Sequence, residues 1–72
     1  MNTELLFLEN LLLYLGAKRT KLTRSNGISL LYNNVHINLF INTNRKCRVY
    51  SEGKYYSSVQ LINKLLKDNA DN

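Results

Sequence analysis

The sequence contains no proline, one cysteine and one histidine among its 72 residues. Because Cys47 stands alone, the chain cannot form an internal disulfide, and one cysteine with one histidine cannot supply the four ligands of a structural zinc site. A chain this short builds a small core, so its stability depends on good packing or on self-association. We predict a single domain over residues 1–67 and a frayed tail over residues 68–72, without metal or cofactor.

Long apolar runs are also absent. The longest is well under half of the roughly 20 residues that a membrane span needs, and no segment has the pattern of a signal peptide. A lone thiol and the lack of a glycosylation sequon fit an intracellular protein. We therefore expect a cytoplasmic protein that does not bind membranes. The missing proline and abundant asparagine suggest a low-GC, phage-like genome, and the compartment would then be the host-cell cytoplasm.

Acidic residues are scarce in the middle of the chain. Between Gly16 and Lys67 there are ten basic residues and one acid, Glu52, and the whole chain carries a net charge of +5. Such a distribution favours a polyanionic partner such as nucleic acid, although a merely solvated basic surface would look the same. The cations expected to contact phosphates are Lys18, Arg19, Lys21, Arg24, Arg45, Lys46, Arg48 and Lys54.

No catalytic arrangement is visible in the sequence. His36 has no obvious partner to orient it as an acid or base. Cys47 alternates onto the core side of a predicted strand, where it would act as a small buried hydrophobe. There is no P-loop, dinucleotide fingerprint or metal-ligand spacing. We predict that the protein is not an enzyme.

The segment ELLFLENLLLYL predicts a first helix over Thr3–Leu15, capped by Thr3 and ended by Gly16. Its apolar residues cover more of the helix than one core can bury. Leu5, Leu8, Leu12 and Leu15 form the core stripe, with Leu11 on its edge; Leu6 and Leu13 lie opposite, beside Glu9 and Asn10. Phe7 and Tyr14 form a third line. The surplus predicts a homodimer whose interface comprises Leu6, Phe7, Leu13 and Tyr14.

Alternation of apolar residues predicts three antiparallel strands. Val35–Asn42 is the clearest, and Asn33-Asn34 would join it to the preceding strand through a two-residue turn. That hairpin pairs Ile28 with Leu39, Leu30 with Ile37 and Tyr32 with Val35. Lys21–Arg24 could begin the first strand, and Asn26-Gly27 is a strong turn signal. A three-residue loop over Thr43–Arg45 leads to a third strand, Cys47–Glu52, and pairs Ile41 with Cys47, Leu39 with Val49, Phe40 with Arg48 and Asn38 with Tyr50.

A second helix is predicted over Ser58–Lys67, with Ser57 and Gln60 at capping-box spacing. Its expected apolar stripe is Val59, Leu61, Ile62, Leu65 and Leu66. The fold class is therefore α+β in the order α-β-β-β-α, with both helices on one face of the sheet. Tyr55-Tyr56, before the helix, is interpreted as a hydrophobic staple and packing element rather than as a base-stacking platform. The other face would gather Leu31, His36, Asn38, Phe40, Arg48 and Tyr50.

An α-β-β-β-α chain of about 70 residues resembles the double-stranded-RNA-binding domain, and His36, Phe40 and Ser58 have similar spacing to that family's motif. The resemblance implies a hairpin histidine that reaches the minor groove, and lysines at the start of the last helix that bridge phosphates. Here Val59-Gln60 stand where the family has lysines.

The stretches LLLYLGAKRTKLTRSNG and YYSSVQLINKLL look similar to the HicA-type mRNA interferase toxins. In those toxins the catalytic histidine follows a glycine-serine pair at the first strand. The matching stretch here, Asn26-Gly27-Ile28-Ser29, has no histidine.

Three hypotheses follow from the sequence. The first is a non-enzymatic nucleic-acid-binding module, with RNA or duplex ahead of sequence-specific DNA, in which His36, Phe40 and Tyr50 add contacts to those of the cations. The second is an inhibitor that occupies an acidic or nucleic-acid-binding site on a protein target, such as a phage anti-defence protein of the anti-CRISPR kind. The third is a degenerate relative of the HicA-type toxins.

Overall fold

The computed structural model describes residues 3–20 and 27–70. The chain is α+β, and its strands form one antiparallel sheet in the order β1-β2-β3-β4-β5. The elements are α1 (Thr3–Tyr14), β1 (Lys18–Arg19), β2 (Gly27–Tyr32), β3 (Val35–Ile41), β4 (Cys47–Ser51), β5 (Lys54–Ser57) and α2 (Ser58–Ala70). The predicted class is confirmed, but the predicted number of strands is too small.

The two additional strands lie at the edges of the sheet. β1 has only two residues, and Lys18 and Arg19 pair with Leu31 and Leu30. β5 folds back on β4 through a tight turn in which Glu52 and Gly53 both have positive φ, 52° and 78°. Because glycine adopts positive φ without strain, Glu52-Gly53 is the residue pair that makes this second hairpin possible.

The β2–β3 hairpin has the predicted turn and register. Asn33 and Asn34 adopt φ of 49° and 65°, the left-handed values that a two-residue turn of this kind requires. Ile28 pairs with Leu39, Leu30 with Ile37 and Tyr32 with Val35. The alternation of apolar residues therefore fixes this register correctly.

Gly27 does not act as a turn residue, contrary to the prediction. It is the first residue of β2 and pairs with Phe40. A Cβ atom at this position would lie 2.7 Å from the carbonyl oxygen of Leu39, so only glycine fits this close approach of the backbones. The predicted beginning of a strand at Lys21–Arg24 lies outside the described residues.

The β3–β4 connection is the predicted loop over residues 43–45. The amide of Asn42 donates to the carbonyl of Lys46 at 2.9 Å, and Arg45 has a φ of 61°. The Oδ1 atom of Asn42 accepts from the amides of Asn44 and Lys46 at 3.0 and 2.9 Å. The four predicted pairs that follow this loop are confirmed: Asn38–Tyr50, Leu39–Val49, Phe40–Arg48 and Ile41–Cys47.

Both helices pack on the same face of the sheet, as predicted. α1 contacts β2 and β3, whereas α2 contacts β4 and β5. The core between them includes the fully buried Leu8, Leu12, Leu30, Leu39 and Val49, joined by Leu61 and Leu65 from α2. Each such side chain contributes about 1.5–3 kcal/mol through burial.

α2 begins where the capping box predicts. The amide of Ser57 donates to Gln60 Oε1 at 2.8 Å, and the amide of Gln60 donates to Ser57 Oγ at 3.2 Å. The helix continues to Ala70, beyond the predicted end at Lys67. Asn69 Nδ2 donates to the hydroxyl of Tyr32 at 3.2 Å, a contact that ties this last turn to the sheet.

Two details of the helix faces differ from the prediction. Val59 and Leu66 are exposed, because α2 covers an edge of the sheet and buries a narrower stripe centred on Leu61 and Leu65. Glu9, placed by the helical wheel away from the core, is buried. The cause is β1, whose Arg19 reaches Glu9 Oε2 from Nε at 2.9 Å.

Candidate functional site

The side of the sheet that neither helix covers is the candidate site, and we name it the open face. Strand alternation and the observed registers place its side chains. It comprises Lys18, Ser29, Leu31, His36, Asn38, Phe40, Arg48, Tyr50, Tyr55 and Ser57. The structure thus brings together all six side chains that the sequence assigned to this face, and adds members from the edge strands.

Three aromatic rings form a cluster on the open face. Tyr55 lies 4.8 Å from Tyr50 and 6.1 Å from Phe40 between ring centroids, with interplanar angles of 61° and 77°. Edge-to-face contacts of this kind contribute about 0.5–1.5 kcal/mol each and restrict how the rings move. Phe40 and Tyr50 are half-buried, while Tyr55 is 65% exposed. The cluster therefore offers apolar ring surface to a flat ligand.

Tyr55 was not assigned to the site from the sequence, because packing was preferred to base stacking for Tyr55-Tyr56. In β5 the two residues alternate, so Tyr56 pairs with Val49 on the helix side and Tyr55 pairs with Tyr50 on the open face. The prediction holds for Tyr56, whose ring lies 5.8 Å from Lys64 Nζ. The Glu52-Gly53 turn is the signal that could have revealed the strand.

Polar side chains lie beside the rings. Asn38 is between Ser29 and Tyr50, and Arg48 is between Phe40 and Ser57 in the register. Both are half-buried, and within the described part of the chain neither side chain forms a hydrogen bond or an ion pair. The amide of Asn38 offers a donor and an acceptor, and the guanidinium of Arg48 offers five donors. These groups are available to a ligand.

The carboxylates of the described helices lie on the helix side of the sheet, together with part of the cations. Glu4 and Glu9 belong to α1 and Asp68 belongs to α2, all on the helix side. Among the strand residues that the structure describes on the open face there is no carboxylate, and Lys18 and Arg48 make it positive. Glu52 lies at one end, in the β4–β5 turn. Arg45 and Lys46 lie at the other end, in the β3–β4 loop.

The predicted phosphate-binding cations do not form one cluster. Lys18 and Arg48 lie on the open face, with Arg45 and Lys46 beyond its end. Arg19 and Lys54 lie on the helix side: Arg19 forms the ion pair with Glu9, and Lys54 pairs with the core-facing Ser51. Lys21 and Arg24 are outside the described residues.

The residues expected at an oligomer interface are mostly exposed. Leu6, Phe7 and Tyr14 are 41%, 56% and 86% exposed. Leu13 is only partly exposed, because it also packs against the core. The helix side therefore carries apolar surface that the fold leaves uncovered.

Cys47 has the chemistry expected of a buried thiol. Burial and, to a lesser degree, the negative charge of Glu4 raise its pKa from 9.0 to about 11. The thiol therefore stays protonated at neutral pH and is a poor nucleophile. Its 3% exposure agrees with the predicted packing role.

A small cavity lies between α2 and the sheet. Its volume is about 90 Å³, and its lining includes Tyr32, Ile37, Tyr56 and Leu61. An apolar cavity that holds benzene has about 150 Å³, so this one is too small for most organic ligands. Across residues 3–20 and 27–70, no three His, Cys, Asp or Glu side chains are grouped so that they could hold a metal ion.

Neither described helix has the length and apolar character needed to cross a bilayer. Comparison with known protein families, curated proteins and solved structures gives no match for this chain. No relative therefore bears on the resemblance to double-stranded-RNA-binding domains or to HicA-type toxins.

Proposed function

We propose that the protein is a small non-enzymatic module that binds single-stranded nucleic acid, RNA ahead of DNA, on the open face. The observation that carries this proposal is the aromatic cluster of Phe40, Tyr50 and Tyr55 on a positive sheet surface whose described strand residues include no carboxylate. Aromatic side chains on sheets stack with unpaired bases, whereas the bases of a duplex are already stacked on each other. The rings therefore favour a single strand over a duplex, which the sequence analysis had kept as an alternative.

The aromatic residues would supply most of the sequence-tolerant affinity. Tyr55 is the most accessible ring and would stack directly against a base. Phe40 and Tyr50 hold Tyr55 through their edge contacts and extend the apolar surface to a neighbouring base. Stacking of one base on an aromatic side chain is worth about 1–3 kcal/mol.

The polar and basic groups would hold the backbone and the base edges. Arg48 and Lys18 lie on the open face, and Arg45 and Lys46 extend the positive potential past its end. Each phosphate that these cations neutralise lowers the logarithm of affinity by about 0.7 per tenfold rise in salt for a single strand. The free amide of Asn38 and the tyrosine hydroxyls can bond base edges or the ribose 2′-hydroxyl, which is why RNA is placed ahead of DNA.

The protein-target hypothesis has one observation in its favour. Tyrosine and arginine are the residue types that dominate the energetics of protein interfaces, and the open face exposes both. We place it second because the described strand residues of this surface include no carboxylate. A polyanionic ligand requires this absence of negative charge, whereas a protein partner does not.

The test is fluorescence anisotropy with labelled oligouridine, oligoadenosine, oligodeoxythymidine and a hairpin duplex, each at low and high salt. We expect single strands to bind more tightly than the duplex, with affinity falling as salt rises. Tyr55→Thr should weaken binding by roughly tenfold or more, because one stacking contact is lost. Threonine retains the β-propensity of the strand, so the fold is preserved.

The matched control is Leu66→Gln. Leu66 and Tyr55 have the same exposure, 65%, but Leu66 lies on α2, away from the open face. Its replacement should leave the affinity unchanged. Absence of binding to every oligonucleotide at low salt would overturn the proposal and shift attention to a protein target.

A further inference from the structure

The outward side of α1 carries an apolar surface that the fold does not use. Leu6, Phe7, Asn10 and Tyr14 lie together on the side of the helix away from the buried Leu8 and Leu12, and we name them the α1 stripe. All four are exposed. Because α1 packs on the helix side of the sheet, the α1 stripe and the open face point in opposite directions.

The exposed area is of the size that marks an interaction site. From their exposed fractions of 41%, 56% and 86%, Leu6, Phe7 and Tyr14 present on the order of 350–400 Å² to solvent. The largest apolar patch on a typical monomer is about 300–600 Å² and is often functional. A small 72-residue chain that leaves this much apolar surface open on one helix gains by covering it.

Charge limits what can cover the stripe. The chain carries a net charge of +5, so most approaches of a second copy would bring like charges together. The α1 stripe contains no charged residue. The nearby acid Glu4 accepts a hydrogen bond from Ser58 Oγ at 3.0 Å, on the side of α1 toward α2. A second copy can therefore meet this surface without placing like-charged side chains of the stripe against each other.

Asn10 lies at the centre of the stripe and favours an identical partner. It is three or four residues from Leu6, Phe7 and Tyr14, so it is their neighbour on the helix surface. Its amide makes no hydrogen bond within the described part of the chain. In a two-fold interface a central residue meets its own copy, and a carboxamide is self-complementary because it has both a donor and an acceptor. A single asparagine in an apolar helix seam is a known device for fixing a dimer.

We propose that the α1 stripe is a two-fold homodimer interface, in which α1 of a second copy packs on this stripe and the two Asn10 amides hydrogen-bond to each other. Leu6, Asn10 and Leu13 have the four- and three-residue spacing of a helix seam, and Leu13 supplies the part of its side chain that the core leaves exposed. Phe7 and Tyr14 flank the seam. The contact is small compared with the roughly 800 Å² per partner of a standard interface, so the dimer should dissociate on dilution through the micromolar range.

This interface would leave both open faces free and facing outward. A dimer would then present two equivalent binding surfaces, and a long single strand could engage both with higher overall affinity than one surface provides. The dimer itself does not depend on nucleic-acid binding, so the two proposals can fail separately.

The test is sedimentation velocity over a wide dilution series, without nucleic acid, on the full chain and two aspartate variants. Asn10→Asp places two negative charges at the two-fold axis and should raise the dimer dissociation constant at least about tenfold. Asn63→Asp makes the same chemical change at an exposed position of α2 and should leave the constant unchanged. Since both side chains are exposed, neither change should reduce the helical circular dichroism.

A third variant, Asn10→Leu, replaces the amide pair with an apolar contact and should tighten association. A monomer at every concentration would overturn the proposal. So would a dimer that is equally sensitive, or equally insensitive, to the two aspartate substitutions, because the interface would then lie elsewhere.

Discussion

The open face and the α1 stripe are both uncovered surfaces with aromatic residues, and they differ in charge. Around Phe40, Tyr50 and Tyr55 the open face has arginine and lysine and no carboxylate on its described strands. Around Phe7 and Tyr14 the α1 stripe has no charge. Since both surfaces carry aromatic rings, the two proposals distinguish their partners by the neighbouring charge. A positive surface suits a polyanion, and a neutral one suits a second copy of a positive chain.

The largest effect on stability is expected from a substitution in the core that supports both surfaces. Leu39 belongs to β3, and its side chain is fully buried in the core between the sheet and the helices. Leu39→Ala should lower the free energy of unfolding by about 2–5 kcal/mol, because it creates a cavity in the core. Chemical denaturation followed by circular dichroism measures this. Leu66→Ala is the control, and a comparable loss there would contradict the assigned core.

A substitution with a smaller effect on stability should change the open face and leave the α1 stripe unchanged. Gly27→Ala puts a methyl group 2.7 Å from the Leu39 carbonyl oxygen and 3.3 Å from Phe40 Cβ. The strand must shift, at a cost of about 1–3 kcal/mol in stability. Because Phe40 belongs to the aromatic cluster, affinity for single strands should fall while the dimer constant of the folded fraction stays the same. Equal changes in both would show that the surfaces are not independent.

A charge substitution should change binding without changing the fold. Arg48→Gln removes a cation from the open face, where it has no partner among the described residues. Affinity should drop several-fold, and the slope of log affinity against log salt should fall by about 0.7, the value for one phosphate contact.

Lys54→Gln is the matched control for this substitution. It makes the same charge change on the helix side of β5. It should leave the slope nearly unchanged. A larger effect at Lys54 than at Arg48 would place the bound strand at the edge of the sheet.

The smallest effect concerns the core thiol beneath both surfaces. Burial, and then the charge of Glu4, raise the pKa of Cys47 from 9.0 to about 11. A raised pKa favours the folded state while the thiol is protonated, so this stability is complete below pH 9.0 and is lost as the pH rises toward 11. At pH 9.5 the loss should be below about 1 kcal/mol. Thermal melts of the protein and of Cys47→Val should therefore coincide below pH 9.0 and diverge as the pH rises from 9.0 toward 11; identical pH profiles would contradict the buried thiol.

The central three strands and α2 could be predicted because their signals are local. Asn33-Asn34 fixes one turn, the loop at 43–45 fixes the next, and alternation then sets each register. Ser57 and Gln60 mark the start of α2 through contacts three residues apart. In each case the residues that determine the structure are neighbours in the chain, so the pattern is visible without tertiary information.

The edge strands could not be predicted in the same way. β1 has two residues, too few for any alternation, and depends on pairing with Leu30 and Leu31. The burial of Glu9 follows from Arg19 on that strand, so missing β1 also meant missing the ion pair. Tyr55 was likewise not assigned to the open face, because β5 was not predicted. The sequence thus predicted the centre of the open face, Phe40, Tyr50 and Arg48, but not the ring that is most exposed.

The most direct test of the account is an NMR titration of the isotope-labelled protein with a short oligouridine at low salt. We predict chemical-shift changes at Asn38, Arg48, Tyr50 and Tyr55, with Leu6, Phe7 and Tyr14 unaffected. Changes confined to the helix side, or none at millimolar oligonucleotide, would contradict the claim that the open face binds single-stranded nucleic acid.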